Sequence, residues 1–293
     1  MFDFIRLRIP ESAIPQLKEV LNFIDRVNTS TGEIVKTEGG YSFSTAKYKY
    51  FKVELWEHST KRDKAYLFGS MHKCVGNGTN YENISQNQFK QGFKTLLDDL
   101  HLNPKELVLN GFEWGYNMNL EELNTTYVLN SIITKSSAPP TIQNYRNGKQ
   151  VCFEHQRFKL KIYDKGKQNN LNINLLRFEL KITRMAYLKD KGVKITTLQD
   201  LLDPSKNTIE ILNSSLLYQL SKIVFSIDFD FDKITNNKES AYTIKRQKLS
   251  YWQNLSNKNY NKNLGAYRKT INNYSLDYLG HVLRDKLILA IEA

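Results

Sequence analysis

The sequence predicts an α+β protein, with a mixed, mainly antiparallel β-sheet flanked by helices and a basic, helical C-terminal segment. Three observations predict it. Several short segments alternate in polarity with a period of two, as half-buried strands do. One segment, from Ser85 to Leu100, repeats its apolar residues at helical spacing. The order of these signals along the chain is ββαβα, which a mixed sheet with flanking helices accommodates.

Each element has its own justification. Met1-Phe2-Asp3-Phe4-Ile5-Arg6-Leu7-Arg8-Ile9-Pro10 alternates in polarity and carries an acidic residue at once, which reads as a first strand and not as a signal peptide. Tyr50 to Trp56 and Ala65 to Ser70 alternate across the charged turn Lys61-Arg62-Asp63-Lys64. Ser85 is placed to cap a helix through Phe89, Phe93, Leu96, Leu97 and Leu100, and Pro104 closes that unit. Leu107 to Asn117 reads as a third strand, with a helix expected from Leu120 towards Lys135. The segment Ser136-Ser137-Ala138-Pro139-Pro140 reads as a loop. Arg157 to Tyr163 and Leu175 to Ile182 alternate again, joined by a polar connection, as a strand pair with a long turn. Thr197 to Leu202 predicts a short helix ended by Pro204, and Thr208 to Ile227 a longer one. The Asn-Lys runs at 236–238 and 256–263 are expected as exposed loops within a helical tail.

Composition narrows the function classes. Hydrophobic residues make up 40% of the 293 and charged residues 25%, the balance of a folded chain and not of a disordered one. No apolar window is long enough for a membrane span. Two cysteines, Cys74 and Cys152, in no metal-ligand spacing, argue against a zinc site or a disulfide scaffold and fit a reducing cytoplasm. The net charge is +12, and residues 233–293 carry eleven Lys/Arg against four acids. A surface that basic attracts polyanions and points to nucleic acid. The chain divides on this basis into residues 1–232 and a basic, mainly helical segment, 233–293. In that segment Tyr251, Trp252, Tyr260, Tyr267 and Tyr274 are expected to pack, leaving Lys and Arg for phosphates.

Alternation also sorts the later strands by face. Phe158, Leu160 and Ile162 share one face, and Lys159, Lys161 and Tyr163 the other. In the next strand Leu176, Phe178, Leu180 and Ile182 oppose Arg177, Glu179 and Lys181. Pairing the apolar faces on one core brings a tyrosine together with carboxylates (Asp164, Glu179) and several cations. Such a set has a chemical logic: cationic neighbours favour the phenolate, and carboxylates suit Mg²⁺ or Mn²⁺, which take oxygen ligands. The same residues also suit a solvated sheet face of Lys/Glu cross-strand pairs.

The segment Lys161-Ile162-Tyr163-Asp164-Lys165-Gly166, followed by Leu175-Leu176-Arg177-Phe178-Glu179-Leu180, resembles the Tyr-Asp/Glu-Lys and Arg-x-Glu motifs of rolling-circle replication initiators. Plasmid initiators and the replication endonucleases of filamentous phages share those motifs. The opening Asp3 to Pro10, the segments Gly69-Ser70-Met71-His72-Lys73 and Gly78-Thr79-Asn80, and Phe112-Glu113-Trp114-Gly115-Tyr116-Asn117 are similar to the phage-type branch. The resemblance spans roughly residues 1–230. It implies a metal-dependent endonuclease and strand transferase in residues 1–232. That enzyme would nick one strand of origin DNA, form a covalent 5′-phosphotyrosine link and free a 3′-hydroxyl. Tyr163 is then the nucleophile, and Lys165 and Arg177 contact the scissile phosphate. Glu113, Asp164 and Glu179 hold Mg²⁺ or Mn²⁺, and His72 helps to position metal or substrate. The implied partners are origin DNA (single-stranded or hairpin at the nick, duplex nearby), a host helicase and a second copy of the chain, with no membrane and a cytoplasmic location.

The chain departs from the broader nicking superfamily in one respect. Its five histidines, at 58, 72, 101, 155 and 281, never fall two apart, so no His-hydrophobic-His metal pair exists. The metal ligands are therefore open, including the choice between Glu54 and Glu113. A non-catalytic DNA-binding protein, such as a repressor or partition factor, fits the same basic α+β scaffold. An RNA-binding module ranks last, for want of an aromatic RNP-type segment.

Overall fold

The computed structural model describes residues 1–135, 139–145, 148–226, 229–276 and 279–292. The predicted period of two becomes a long sheet. Its first strands are β1 (Phe2–Ile9), then, after α1 (Ile14–Val20), β2 (Ile24–Asp25), β3 (Ser42–Tyr48), β4 (Phe51–Glu57) and β5 (Lys64–Ser70). Two helices follow, α2 (Met71–Val75) and α3 (Gln86–Asp99), and then β6 (Val108–Asn119). The chain continues through α4 (Thr125–Ser131), β7 (Ile132–Lys135), β8 (Thr141–Tyr145), β9 (Gly148–Glu154), β10 (Phe158–Asp164), α5 (Lys165–Gln168) and β11 (Leu175–Ile182). Short helices α6 (Ala186–Lys189) and α7 (Leu198–Leu202) precede α8 (Thr208–Ser221) and β12 (Ile223–Phe225). The C-terminal part is helical as expected: α9 (Asn237–Arg246), α10 (Leu249–Gln253), α11 (Asn257–Tyr274) and α12 (Leu279–Glu292).

Ten strands join in the order β2-β3-β4-β5-β1-β6-β11-β10-β9-β8, and β12 pairs with β7 apart from them. The pairing is antiparallel between β1 and both β5 and β6, from β2 through β5, and from β8 through β10. This is the α+β class that the polarity pattern predicts. The chain separates into two compact units. The first comprises residues 1–114, 156–158 and 181–211, and the second residues 115–155, 159–180 and 212–293.

In the first unit α3 supplies the core of one sheet face. Ser85 accepts from the Gln88 amide while the Gln88 side chain accepts from the Ser85 amide, a capping box that starts the helix at the expected residue. Phe89, Phe93, Leu96 and Leu97 then fall on one buried stripe. Phe89 stacks on Phe2, and Phe93 meets Phe51 edge-on. Each such ring stabilises the packing by roughly 1.5–3 kcal/mol. Against β6, the register of β1 shifts between Phe2 and Ile5 and again between Arg6 and Leu7. Irregularities of this kind re-aim side chains, and Asp3 lies inside the first one.

In the second unit the apolar alternation holds as predicted: Leu160, Ile162, Leu176, Phe178 and Leu180 are buried. The C-terminal aromatics pack, with Trp252, Tyr260 and Tyr267 buried against one another and α10 against β7. Three expectations need correction. The helix from Leu120 towards Lys135 is only α4, because Asn124 caps it late and the β-branched run Ile132-Ile133-Thr134 turns to strand and pairs with β12. The helix from Thr208 stops at Ser221 for the same reason, with Ile223-Val224-Phe225 as the partner strand; Ile227 lies outside the described residues. The Asn-Lys runs are helical starts, not loops: Asn236 caps α9 through the amides of Lys238 and Glu239, and residues 257–263 open α11. Of the predicted loop at 136–140, Ser136 to Ala138 lie outside the described residues.

Candidate functional site

Three strands adjacent in the sheet, β1, β6 and β11, carry one buried carboxylate each. Asp3, Glu113 and Glu179 offer oxygens that all lie within 4.8 Å of one another. Asp3 accepts hydrogen bonds from Ser70 at the end of β5 and, at 3.0 Å, from the Asn80 amide. Glu113 accepts from Lys181 Nζ at 2.9 Å. Ligands around one Mg²⁺ or Mn²⁺ ion at about 2.1 Å stand ~3–4 Å apart, so three carboxylates at this spacing can hold a divalent cation.

Glu179 has the densest set of partners. Lys161 Nζ donates to its Oε1 at 2.7 Å, and Tyr163 Oη and Arg177 Nε donate to its Oε2 at 3.3 and 3.2 Å. The side chains of Arg177 and Glu179 are 0% and 1% exposed, so this ion pair is removed from solvent. Arg177 Nη1 also donates to the Asn117 side-chain oxygen at 3.2 Å. A buried ion pair stabilises only when its remaining groups are satisfied, and the bond from Arg177 to Asn117 contributes to that. The approach of β6 to β11 depends on Gly115, where a Cβ would lie 2.4 Å from the Phe178 carbonyl oxygen and 2.8 Å from Glu179 Cα.

The loop after β10 holds the rest of the tyrosine motif. Asp164 caps α5 by accepting from the Lys167 amide at 2.8 Å, and its other oxygen accepts from Thr125. Lys165 is buried, with Nζ 5.6 Å from the centre of the Tyr163 ring and 2.9 Å from Gln168 Oε1. Tyr163 itself is half-buried. The polar face expected of β10 and β11 is therefore present, with Lys161, Tyr163, Arg177 and Glu179 in direct contact.

Of the residues singled out from sequence, Tyr163, Arg177 and Glu179 come together, and Glu113 joins Glu179 and Asp3. Asp164 caps α5 and is not a member of that three-carboxylate group. His72 is buried on α2 with Nε2 against the Glu82 carbonyl, and it is not a member of the Asp3–Glu113–Glu179 group. Glu54 pairs with Lys52 on β4 and lies outside the group. Sequence reasoning misses Asp3 as a ligand candidate. The available signal is an acidic residue inside a strand of otherwise apolar and basic residues, on a stretch that resembles the initiators. The stretches that share this resemblance also supply Ser70, Asn80 and Asn117, which hold these charged groups in place.

No family model and no curated protein matches the chain. Among solved structures, it is similar to "Structure of Rolling Circle Replication Initiator Protein from Geobacillus stearothermophilus", at 9% identity over 63% of this chain and 74% of that one, with a TM-score of 0.33. A likeness that slight says nothing of activity. Among the described residues, no helix is long and apolar enough to cross a membrane.

Proposed function

We propose that the chain is a replication initiator that nicks one strand of origin DNA, with Tyr163 as the nucleophile. The observation that carries this reading is the hydrogen bond from the Tyr163 hydroxyl to Glu179, a carboxylate that also belongs to the Asp3–Glu113–Glu179 group. A phenol is a weak nucleophile at neutral pH until a base takes its proton. In the proposed reaction Tyr163 Oη attacks the scissile phosphorus while Glu179 accepts the phenol proton. The P–O3′ bond breaks, the 3′ oxygen takes a proton from solvent, and a 5′-phosphotyrosine remains. Arg177 and Lys165, with Lys161, hold positive charge around the phenol and stabilise the charge that develops on the phosphate. Asp3, Glu113 and Glu179 would hold a divalent cation, whose contribution when bound is to polarise the phosphate.

A second reading has its own observation. Lys181, Lys161 and Arg177 already neutralise Glu113 and Glu179, so the cluster is also consistent with an ion network in a non-catalytic DNA-binding protein. Incubation with single-stranded origin DNA and Mn²⁺, then mass spectrometry of the digest, separates the two. The nicking reading expects a nucleotide-linked peptide at Tyr163. An adduct on another tyrosine overturns the site, and no adduct under any divalent metal favours the second reading.

A further inference from the structure

The first unit has a second sheet face, opposite the one that α3 covers. On it Phe4, Phe43, Trp56, Tyr66 and Phe68 are all half-exposed and alternate with cations. The register sets Arg6 beside Phe68, Phe68 beside Lys52, and Phe43 beside Trp56. The Arg6 guanidinium lies 4.9 Å from the centre of the Tyr66 ring, and Lys181 Nζ 5.2 Å from that of Phe4. Phe4 and Phe68, with ring centres 6.1 Å apart, line a cavity of about 410 Å³ together with Arg6, Lys181, Asn110 and Glu54. That volume falls in the range of sites for small planar ligands. Asn110, with an exposed amide, can both donate to and accept from a base edge.

We infer that this face binds unpaired nucleobases of single-stranded DNA, stacked on Phe4 and Phe68, with Arg6, Lys52 and Lys181 on the neighbouring phosphates. The choice of occupant follows from the pairing of flat π-surfaces with positive charge. Rings supply stacking to any base, and cations follow the backbone without reading sequence. A double helix hides its base faces and gains nothing from half-exposed rings. An acidic protein surface would use the cations and leave the rings idle. The inference rests on DNA being the partner, but not on Tyr163 being a nucleophile.

Trp56 provides the readout, since Trp114 and Trp252 are buried. Oligo-dT should quench tryptophan fluorescence of the full chain, and Trp56→Phe should remove the quenching. By anisotropy, Phe68→Leu and Phe4→Leu, which keep most of the apolar volume, should each weaken oligo-dT binding about tenfold and leave binding to a blunt duplex unchanged. Leucine variants that bind oligo-dT as the parent does, or a parent whose fluorescence oligo-dT leaves unquenched, overturn the inference. So does polyglutamate that displaces oligo-dT and binds the leucine variants as tightly as the parent, which would make the face a site for an acidic protein. Nicking is assayed on the same samples. Quenching without a tyrosine adduct retains the platform and rejects the nicking reading, whereas an adduct without quenching does the reverse.

Discussion

The Tyr163 hydroxyl donates to Oε2 of Glu179 over 3.3 Å, and Arg177 Nε reaches the same oxygen at 3.2 Å. One carboxylate oxygen thus orients the phenol and is itself held by a buried guanidinium. Tyr163→Phe removes only the hydroxyl, so it should abolish nicking and adduct formation while single-stranded DNA binding stays within twofold. Gel assays of cleavage and binding on one preparation check this; residual nicking above a few per cent would point to another nucleophile.

Cation binding should depend on Asp3 as much as on Glu113. Asp3→Asn and Glu113→Gln are each expected to weaken Mn²⁺ binding at least tenfold, since each removes one charged oxygen donor. Isothermal titration with Mn²⁺ measures it. Two variants that bind Mn²⁺ as the parent does would leave the cluster as an ion network.

Asp164 separates a capping role from ligation. Asparagine is about as good an N-cap as aspartate, so Asp164→Asn should keep both the fold and Mn²⁺ binding. Asp164→Ala should cost about 1 kcal/mol by urea unfolding and lower nicking by displacing Lys165 and Tyr163. Loss of Mn²⁺ binding in Asp164→Asn would return Asp164 to the ligand set.

Gly115→Ala places a methyl group 2.4 Å from the Phe178 carbonyl oxygen, so β6 and β11 must part beside Glu179. Overpacking of this kind costs roughly 1–3 kcal/mol. A lower melting temperature is expected, with a larger fall in nicking than in DNA affinity. Parent-like values of both would show that the strands tolerate the added width.

Stability should rise with pH above neutrality because of Lys135. Burial lowers its pKa to about 8, with Nζ 3.0 Å from His155 Nε2. Burial, and then the Lys135 charge, lower His155 to about 4. Between pH 8 and the ordinary lysine value the unfolded chain holds a proton that the folded chain has released. Unfolding free energy therefore increases across that window, by on the order of 3 kcal/mol. His155 acts in the same sense lower down, where stability is lost as pH falls from about 6.5 towards 4. Urea titrations at pH 8, 9 and 10 should show the upper slope, and Lys135→Met should flatten it. A parent protein with no slope above pH 8 would contradict the depressed lysine.

Legibility in the sequence follows the range of the interaction. Strands β1, β4, β5, β6, β10 and β11 alternate strongly and are readable, as is α3 from its capping box. Tyr163 and Glu179 can be placed on one polar face because neighbouring strands preserve that parity. The strands β3, β8 and β9 escape recognition: Ser42 to Tyr48 and Thr141 to Tyr145 hold few apolar residues, and their strand character comes from their neighbours. The contribution of Asp3 is hidden because it depends on an irregular register in β1 and on Ser70 and Asn80, far along the chain. The change from α4 to β7 also hangs on a partner, β12, some ninety residues away.

The division of the chain into two compact units has a consequence for the order in which it can fold during synthesis. The first unit needs residues 181–211, and the second draws on segments from residue 115 to the last helix. A ribosome therefore cannot release a finished first unit before residues 115–155 and 159–180 of the second have emerged. A nascent chain stalled near residue 150 should thus expose apolar strand faces and depend on chaperones, and sensitivity should drop once residue 211 has cleared the exit tunnel.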